Sequence, residues 1–394
     1  MPRSHQPAAG VRRGSALVLA VALVTVVLSP AAWSRGTAGR SRFAGAVKAH
    51  GSTCSNADRL SRWRDTRLAE QVVVVPVQES DVAAADGEIA AGAGGVILFG
   101  SRAPSDLRAR LERLRSHARG GIAPLVMTDE EGGSVQRMAN LVGSVPSARH
   151  MGESWTTSHV RRVARHLGAS MRAVGVDMDL APVLDLDGRA GPSTADPIGT
   201  RSFSPRRGVA TSHGLAFVDG LLAGGVTPVV KHFPGIGGAK GNTDLGPAST
   251  PPWRRVRHHD LLPFRSAISA GLPAVMVSNA RVPGLTRVPS SLSRAVVHRV
   301  LRRQLGFEGL VLPDSLTAGG VTAAGFDLRE ASVRAIEVGE DMVLFNAPTS
   351  SVAATTHAVV SALVAAVRSG SLPRARLLAA AGHVLEVKGV DLCA

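Results

Sequence analysis

The chain of 394 residues is 44% hydrophobic and 19% charged, enough apolar material for one large core or two average ones and too much for a mainly disordered protein. Its 45 Lys and Arg exceed its 30 Asp and Glu by 15, but all the basic residues except Lys48, Lys231, Lys240 and Lys388 are Arg, spread along helix-like stretches such as 107–119. With no dense basic tail, no Tyr and few other aromatics, nucleic acid is not an expected partner. A polytopic membrane protein is excluded as well, because the one apolar run long enough to consider lies at the extreme N-terminus.

In chain order, Arg3, Arg12 and Arg13 precede the apolar run 16–28, and Ser29-Pro30-Ala31-Ala32-Trp33-Ser34 follows it. A basic start, a short apolar stretch and small residues near Ala32 and Ser34 read as a signal peptide over residues 1–34, with an uncleaved anchor as the alternative. The expected location is extracellular or in the cell envelope, with membrane contact only through that segment if it stays. Residues 35–55, rich in Arg, Gly and Ser, read as a linker, and 56–394 as one domain. Cys54 and Cys393 are the two cysteines. In an oxidising compartment they can pair and staple the ends of the domain; two unpaired thiols are the alternative.

From residue 70 onward, short apolar runs alternate with longer amphipathic ones. The strand-like runs are 72–77, 95–99, 124–128, 179–184, 227–231, 274–279, 309–313 and 341–345, most of them continuous in Val, Ile and Leu, as strands buried on both faces of a parallel sheet are. Between them, Leu107, Leu111 and Leu114, then Val160, Val163, Leu167 and Met171, then Leu292, Val296, Val300 and Leu305 recur at helical spacing. The expected fold is α/β, a (β/α)8 TIM barrel forming a single domain; an open doubly wound sheet is the alternative. A barrel enzyme places its chemistry after its strands. There the sequence sets Asp129-Glu130-Glu131, then Asp185 and Asp187, then Lys231-His232, Ser278-Asn279, Asp314 and Asn346.

Phosphate-loop, HExxH, cysteine-rich metal and Gly-x-Ser-x-Gly patterns do not occur. Carboxylates beside Arg, Lys and His suit sugar chemistry, in which one carboxylate stabilises or attacks the anomeric carbon and a second group protonates the leaving oxygen.

These residues carry a resemblance. Asp129-Glu130-Glu131-Gly132-Gly133 with Val135-Gln136-Arg137, Ile198-Gly199-Thr200-Arg201-Ser202-Phe203 and Lys231-His232-Phe233-Pro234-Gly235 resemble glycoside hydrolase family 3, in its single-domain β-N-acetylhexosaminidase branch. GVILF at 95–99, LAPVLD at 180–185 and LGFEGLVLPDSL at 305–316 follow in matching order, so the resemblance spans about residues 70 to 350. It implies Asp314 as the nucleophile, although Ser315 stands where the family usually has a second Asp. It also implies Lys231, His232, Asp129, Arg137 and Arg201 as contacts to the sugar. A helix N-cap for Asp314, a buried histidine satisfied by backbone for His232, and a structural ion-pair network for Asp129, Arg137 and Arg201 are the alternatives.

The loop after Lys231-His232-Phe233-Pro234-Gly235 departs from the branch. Ile236 replaces its first His, and Asn242-Thr243-Asp244 stands in register with an Asp-Ser-His triplet that supplies the acid/base dyad. Either Asp244 donates the proton, which requires a raised pKa, or the loop is a structural turn and leaving-group protonation is lost. The expectation is an exported hydrolase of terminal β-linked sugars, N-acetylglucosamine above all, retaining through a covalent glycosyl-enzyme with Asp314 and Asp244 as catalytic pair. It is expected to be monomeric, and no metal or organic cofactor is implied. A β-glucosidase-like exo-glycosidase and a non-catalytic binder of cell-wall sugars are the alternatives.

Overall fold

The structure is a computed structural model that describes residues 55–393. The signal segment, the linker up to its last residue, Cys54 and Ala394 lie outside the described residues.

Seven parallel strands form one curled sheet in chain order: β1 (Val74–Gln78), β2 (Gly95–Phe99), β3 (Leu125–Thr128), β4 (Met178–Asp179), β5 (Thr227–Phe233), β6 (Ala274–Val277) and β7 (Leu310–Pro313). Side chains alternate across each strand. Ile97 and Leu312 therefore join an inner core with Val74, Met127, Met178, Val229 and Met276. Val96 and Leu98 on β2, and Val311 on β7, face the helices that pack outside. Both faces are covered, which is why the strands read as unbroken apolar runs. Val384, from the last helix (Arg374–Val387), also packs into the inner core.

Two expected strands are corrected. Of the run 179–184 only Asp179 belongs to the ladder, in the two-residue strand Met178–Asp179, since Pro182 has no N–H to donate. The chain beyond still follows β5, with Val229 N–H donating to Ala181 O at 3.1 Å and Leu184 N–H to Lys231 O at 2.8 Å. The eighth run, 341–345, forms no strand of the sheet. It makes an isolated parallel bridge, Val343 to Val73, through Val343 N–H to Val72 O (2.8 Å) and Val74 N–H to Val343 O (3.0 Å).

The helices at Leu107–Ser116 and Thr157–Val174 bury the predicted leucines and Met171. The third stripe is a π-helix, Ala295–Gln304, and its last step of five residues matches a Leu305 N–H to Val300 O bond of 3.0 Å. Among the described residues, the helix Thr349–Ser369 is long and apolar enough by composition to cross a membrane. Val352, Val359 and Leu363 on it are buried in the domain core, which accounts for its composition.

Candidate active site

At the C-terminal ends of the strands lies a cavity of about 310 Å³. Asp129, Arg137, Arg201, Lys231, His232, Asp244 and Asp314 all line it. The residues singled out from five separate stretches of sequence therefore meet in one place.

The three consecutive acids after β3 take three directions. Asp129 accepts from Lys231 Nζ at 2.5 Å, with Arg137 Nη2 3.7 Å from its other oxygen. Glu130 turns away and organises the hairpin Glu130–Gly132/Val135–Gln136, accepting the N–H groups of Arg137 (2.6 Å) and Met138 (2.8 Å) and the amide of Gln136 (2.9 Å). Glu131 receives the fork of Arg201, Nε and Nη2 each at 2.7 Å, and Lys231 Nζ at 2.6 Å.

Burial alone would neutralise these groups. Burial pushes Glu131 up, but Arg201 and Lys231 outweigh it and hold the carboxyl well below the usual range. Burial pulls Lys231 down, but Asp129 and Glu131 outweigh it and leave the ammonium more firmly protonated than in water. For Arg201 the carboxylate of Glu131 likewise overcomes burial. The cavity wall is thus a fixed array of charges. Arg201 also gives Nη1 to Pro197 O at 2.9 Å, so three of its five N–H donors are committed to the protein.

His232 is set by a residue that the sequence reading noted after a strand without placing it in the site. The fully buried Asp185 accepts His232 Nδ1 at 2.7 Å and the His232 backbone N–H at 3.2 Å. Its other oxygen accepts Ile236 N–H at 2.7 Å. A donor at Nδ1 leaves Nε2 as the ring atom free for a ligand. Asp185, behind His232, and Glu131, in the cavity wall, were both left out of the site by sequence reasoning, as were the lining residues Asn242, Thr243, Ser315 and Asn346. For Asp185 and Glu131 the only signal was position after a strand.

Asp314 follows β7 directly. Its N–H donates to Val277 O at 2.8 Å, and its Oδ1 accepts Ser315 N–H at 2.8 Å. The loop bearing Asp244 stands on the segment just beyond, where Gly319 N–H donates to Asp244 O (3.0 Å) and Gly320 N–H to Thr243 O (2.8 Å). A Cβ at Gly319 would come within 2.6 Å of the Leu245 backbone, so this seat needs glycine. The turn chemistry expected of Asn242 is present, with Asp244 N–H donating to Asn242 Oδ1 at 3.0 Å. The same turn carries Asp244 to the rim of the cavity. Although the residue is exposed, partial burial of its carboxyl and then the charge of Asp314 push its pKa up, opposed by His232 and Arg201. Ile236, in the place of the branch's first His, is buried among Val183, Ile198, Ala239, Ala248 and Ala280.

The sequence pattern described as "Glycosyl hydrolase family 3 N terminal domain" matches residues 70–387. The chain belongs to glycoside hydrolase family 3. As a member of that family it is a glycosidase. Among its relatives, "Beta-hexosaminidase LpqI" of Mycobacterium tuberculosis is 36% identical over 283 residues, 69% of this chain and 70% of the relative. An "Uncharacterized secreted glycosyl hydrolase" of Arthroderma benhamiae is 35% identical over 289 residues, 71% and 80% of the two chains. The crystal structure of a beta-N-acetylhexosaminidase from Beutenbergia cavernae is similar with a TM-score of 0.75 at 31% identity, covering 83% of this family 3 chain and 99% of that one.

Proposed function

We propose that the chain is an exported β-N-acetylhexosaminidase that removes terminal β-linked N-acetylglucosamine with retention of configuration. The observation that carries this reading is the pairing of two unlike carboxylates in one cavity, Asp314 at a strand end and Asp244 with a raised pKa. Asp314 attacks the anomeric carbon as the glycosidic C–O bond breaks, and Asp244 gives its proton to the departing oxygen. The Asp244 carboxylate then takes a proton from water, whose oxygen attacks the anomeric carbon and releases Asp314. Lys231, His232 through Nε2, Asp129 and Arg137 hold the sugar, and Arg201 acts with Glu131 as the fixed wall behind it.

The relatives named as beta-hexosaminidases support the substrate, and the secreted relative together with the basic-apolar N-terminus supports export. We read the curled sheet as a (β/α)8 barrel closed by the run at 341–345, since Val343 joins it to β1. We likewise propose the Cys54–Cys393 disulfide: Asn56 donates Nδ2–H to Val390 O and accepts Leu392 N–H, both at 2.7 Å, which sets the chain beside Cys54 against the chain beside Cys393.

Turnover of 4-nitrophenyl β-N-acetylglucosaminide, the matching aryl β-glucoside and chitobiose tests the reading, with proton NMR of the first sugar released. Cleavage of the N-acetylated substrates to the β-anomer is expected. Early release of the α-anomer removes the covalent intermediate, and preference for the glucoside moves the chain to β-glucosidase-type specificity, the reading that the altered 236–244 loop favours.

A further inference from the structure

The loop that carries Asp244 is fastened near its start by a side chain with no part in the chemistry described above. Arg189, in the loop after β4, lays its guanidinium on Asp187, with Nε 3.1 Å from Oδ1 and Nη2 2.8 Å from Oδ2. Nη2 is also 3.1 Å from Asp196 Oδ1 and donates to Gly237 O at 2.7 Å, while Nη1 is 3.5 Å from Ala239 O. Asp187 and Asp196 in turn accept Gly199 N–H at 3.3 Å. Gly199 opens the turn Gly199–Arg201, from which Arg201 reaches Glu131. One guanidinium therefore touches two loops, the one that aims Arg201 and the one that delivers Asp244.

We propose that Arg189 is a positioning residue that sets the proton-donor loop against the loop that carries Arg201, so that protonation of the leaving group depends on it. This rests on Asp244 being the donor. Only a planar fork can hold a carboxylate and two carbonyls at once; a lysine ammonium can serve part of that set. Gly237 packs so closely on the β4 loop that a Cβ there would lie 2.1 Å from Leu186 O, so Arg189 acts where the two loops are already in contact. Without it the loop tip keeps its seat on Gly319 and Gly320 but its neck loses the side-chain donor to Gly237 and Ala239. A tilt of that kind, on the order of 1 Å, is enough to spoil proton transfer.

The test measures kcat and KM of the full chain, R189M, R189K and D244N on chitobiose and on 4-nitrophenyl β-N-acetylglucosaminide. R189M is expected to lower kcat/KM on chitobiose, which reports formation of the glycosyl-enzyme, about ten-fold or more and to change kcat/KM on the aryl substrate by less than about three-fold; kcat, which includes the water-attack step that both substrates share, is expected to fall on both. R189K should fall between, and it carries the test if R189M does not fold. Equal losses of kcat/KM on both substrates, or no loss on either, with D244N still discriminating between them in kcat/KM, overturn the role of Arg189 and leave Asp244 as donor. A D244N enzyme whose kcat/KM falls alike for the two leaving groups removes Asp244 as donor, and the inference with it.

Discussion

At the N-terminal ends of the strands, Asp177 and Asp341 each gather Arg side chains. Asp341 takes Arg302 at 2.5 Å, Arg376 at 2.7 Å and His383 at 2.9 Å, and it accepts Val311 N–H of β7 at 3.0 Å. Asp177 takes Arg115 at 2.8 Å and also Arg172, and accepts Val126 N–H of β3 at 3.0 Å. At the C-terminal ends, Asp129 and Glu131 gather Arg137, Arg201 and Lys231 from the same kinds of residue. At the foot of the sheet each carboxylate ends on a strand amide, so the charges lash outer helices to strands. At the mouth the carboxylates lock cations to one another, and the assembled charges face a cavity. The same ion-pair chemistry is a fastening in one place and a binding surface in the other, and what separates them is whether strand backbone takes up the last acceptor.

That contrast is broken most sharply by a pair of isosteric changes. Asp314→Asn should cost at least roughly 10³-fold in kcat on every β-glycoside while leaving the melting temperature near wild type. Asp341→Asn should do the reverse, with kcat kept and stability reduced by roughly 3–5 kcal/mol, because Arg302 and Arg376 lose their buried counter-charge. Urea melts read beside kcat decide it, and an Asp341→Asn enzyme that is stable but slow would make the foot part of the site.

Lys231→Met should fall between these two. The cation binds both Asp129 and Glu131, so its loss is expected to lower kcat/KM by roughly 10²-fold and to destabilise as well. The sign with pH follows from Glu131, whose folded pKa is depressed. Its contribution to stability is present above the ordinary carboxylate range and lost as pH falls below it. Removing Lys231 should shrink that contribution, so the variant and wild type should differ less in stability at pH 3 than at pH 7.

Asp244→Asn sharpens the division of labour within the mouth. General acid catalysis is worth about 10²- to 10⁴-fold when the leaving group needs a proton, so kcat/KM on chitobiose should fall by that order and kcat/KM on the aryl glycoside by much less. The acid acts only while protonated, so wild-type kcat/KM on chitobiose should decline as pH rises through the raised pKa of Asp244. That basic limb should vanish in the variant; a limb that survives belongs to another group.

Much of this was legible in the sequence. The apolar runs at 95–99 and 309–313 gave β2 and β7 because strands buried on both faces have no reason to alternate. Asp129, Glu131, Lys231, His232, Asp314 and Asn346 fell into one cavity because parallel strands end on the same side, whereas Glu130, Asp185, Asp187, Ser278 and Asn279 do not line it. What stayed hidden depends on direction. Nothing in Asp129-Glu130-Glu131 tells that the middle carboxylate folds into a hairpin while its neighbours reach the same lysine. The partner of Glu131 lies 70 residues away on Arg201. The run 179–184 read as a strand because its composition is apolar, yet Pro182 withholds an N–H and the ladder there is reduced to scattered bonds. Ile236 and Asp244 showed that the loop had changed; only the fold shows that the histidine's place is now apolar packing.

The foot also contains a charge that the ion pairs do not reach, and it marks the gentlest test of the contrast. Lys388, just past the last helix, has its Nζ buried with no protein acceptor, and burial brings its pKa down to about 7, with Asp177 opposing. The unfolded chain keeps the proton up to the ordinary lysine range. Between pH 7 and that range the unfolded state therefore binds more protons, so stability rises with pH, and below pH 7 the penalty is fully present. Lys388→Met keeps the apolar stem and removes the amine. It should raise the melting temperature by a few degrees at pH 6 to 7, flatten the slope of stability between pH 7 and 10, and leave kcat unchanged. A variant that melts lower at every pH would mean that the amine is held by Asp177 after all, and that the foot, like the mouth, pairs every cation it buries.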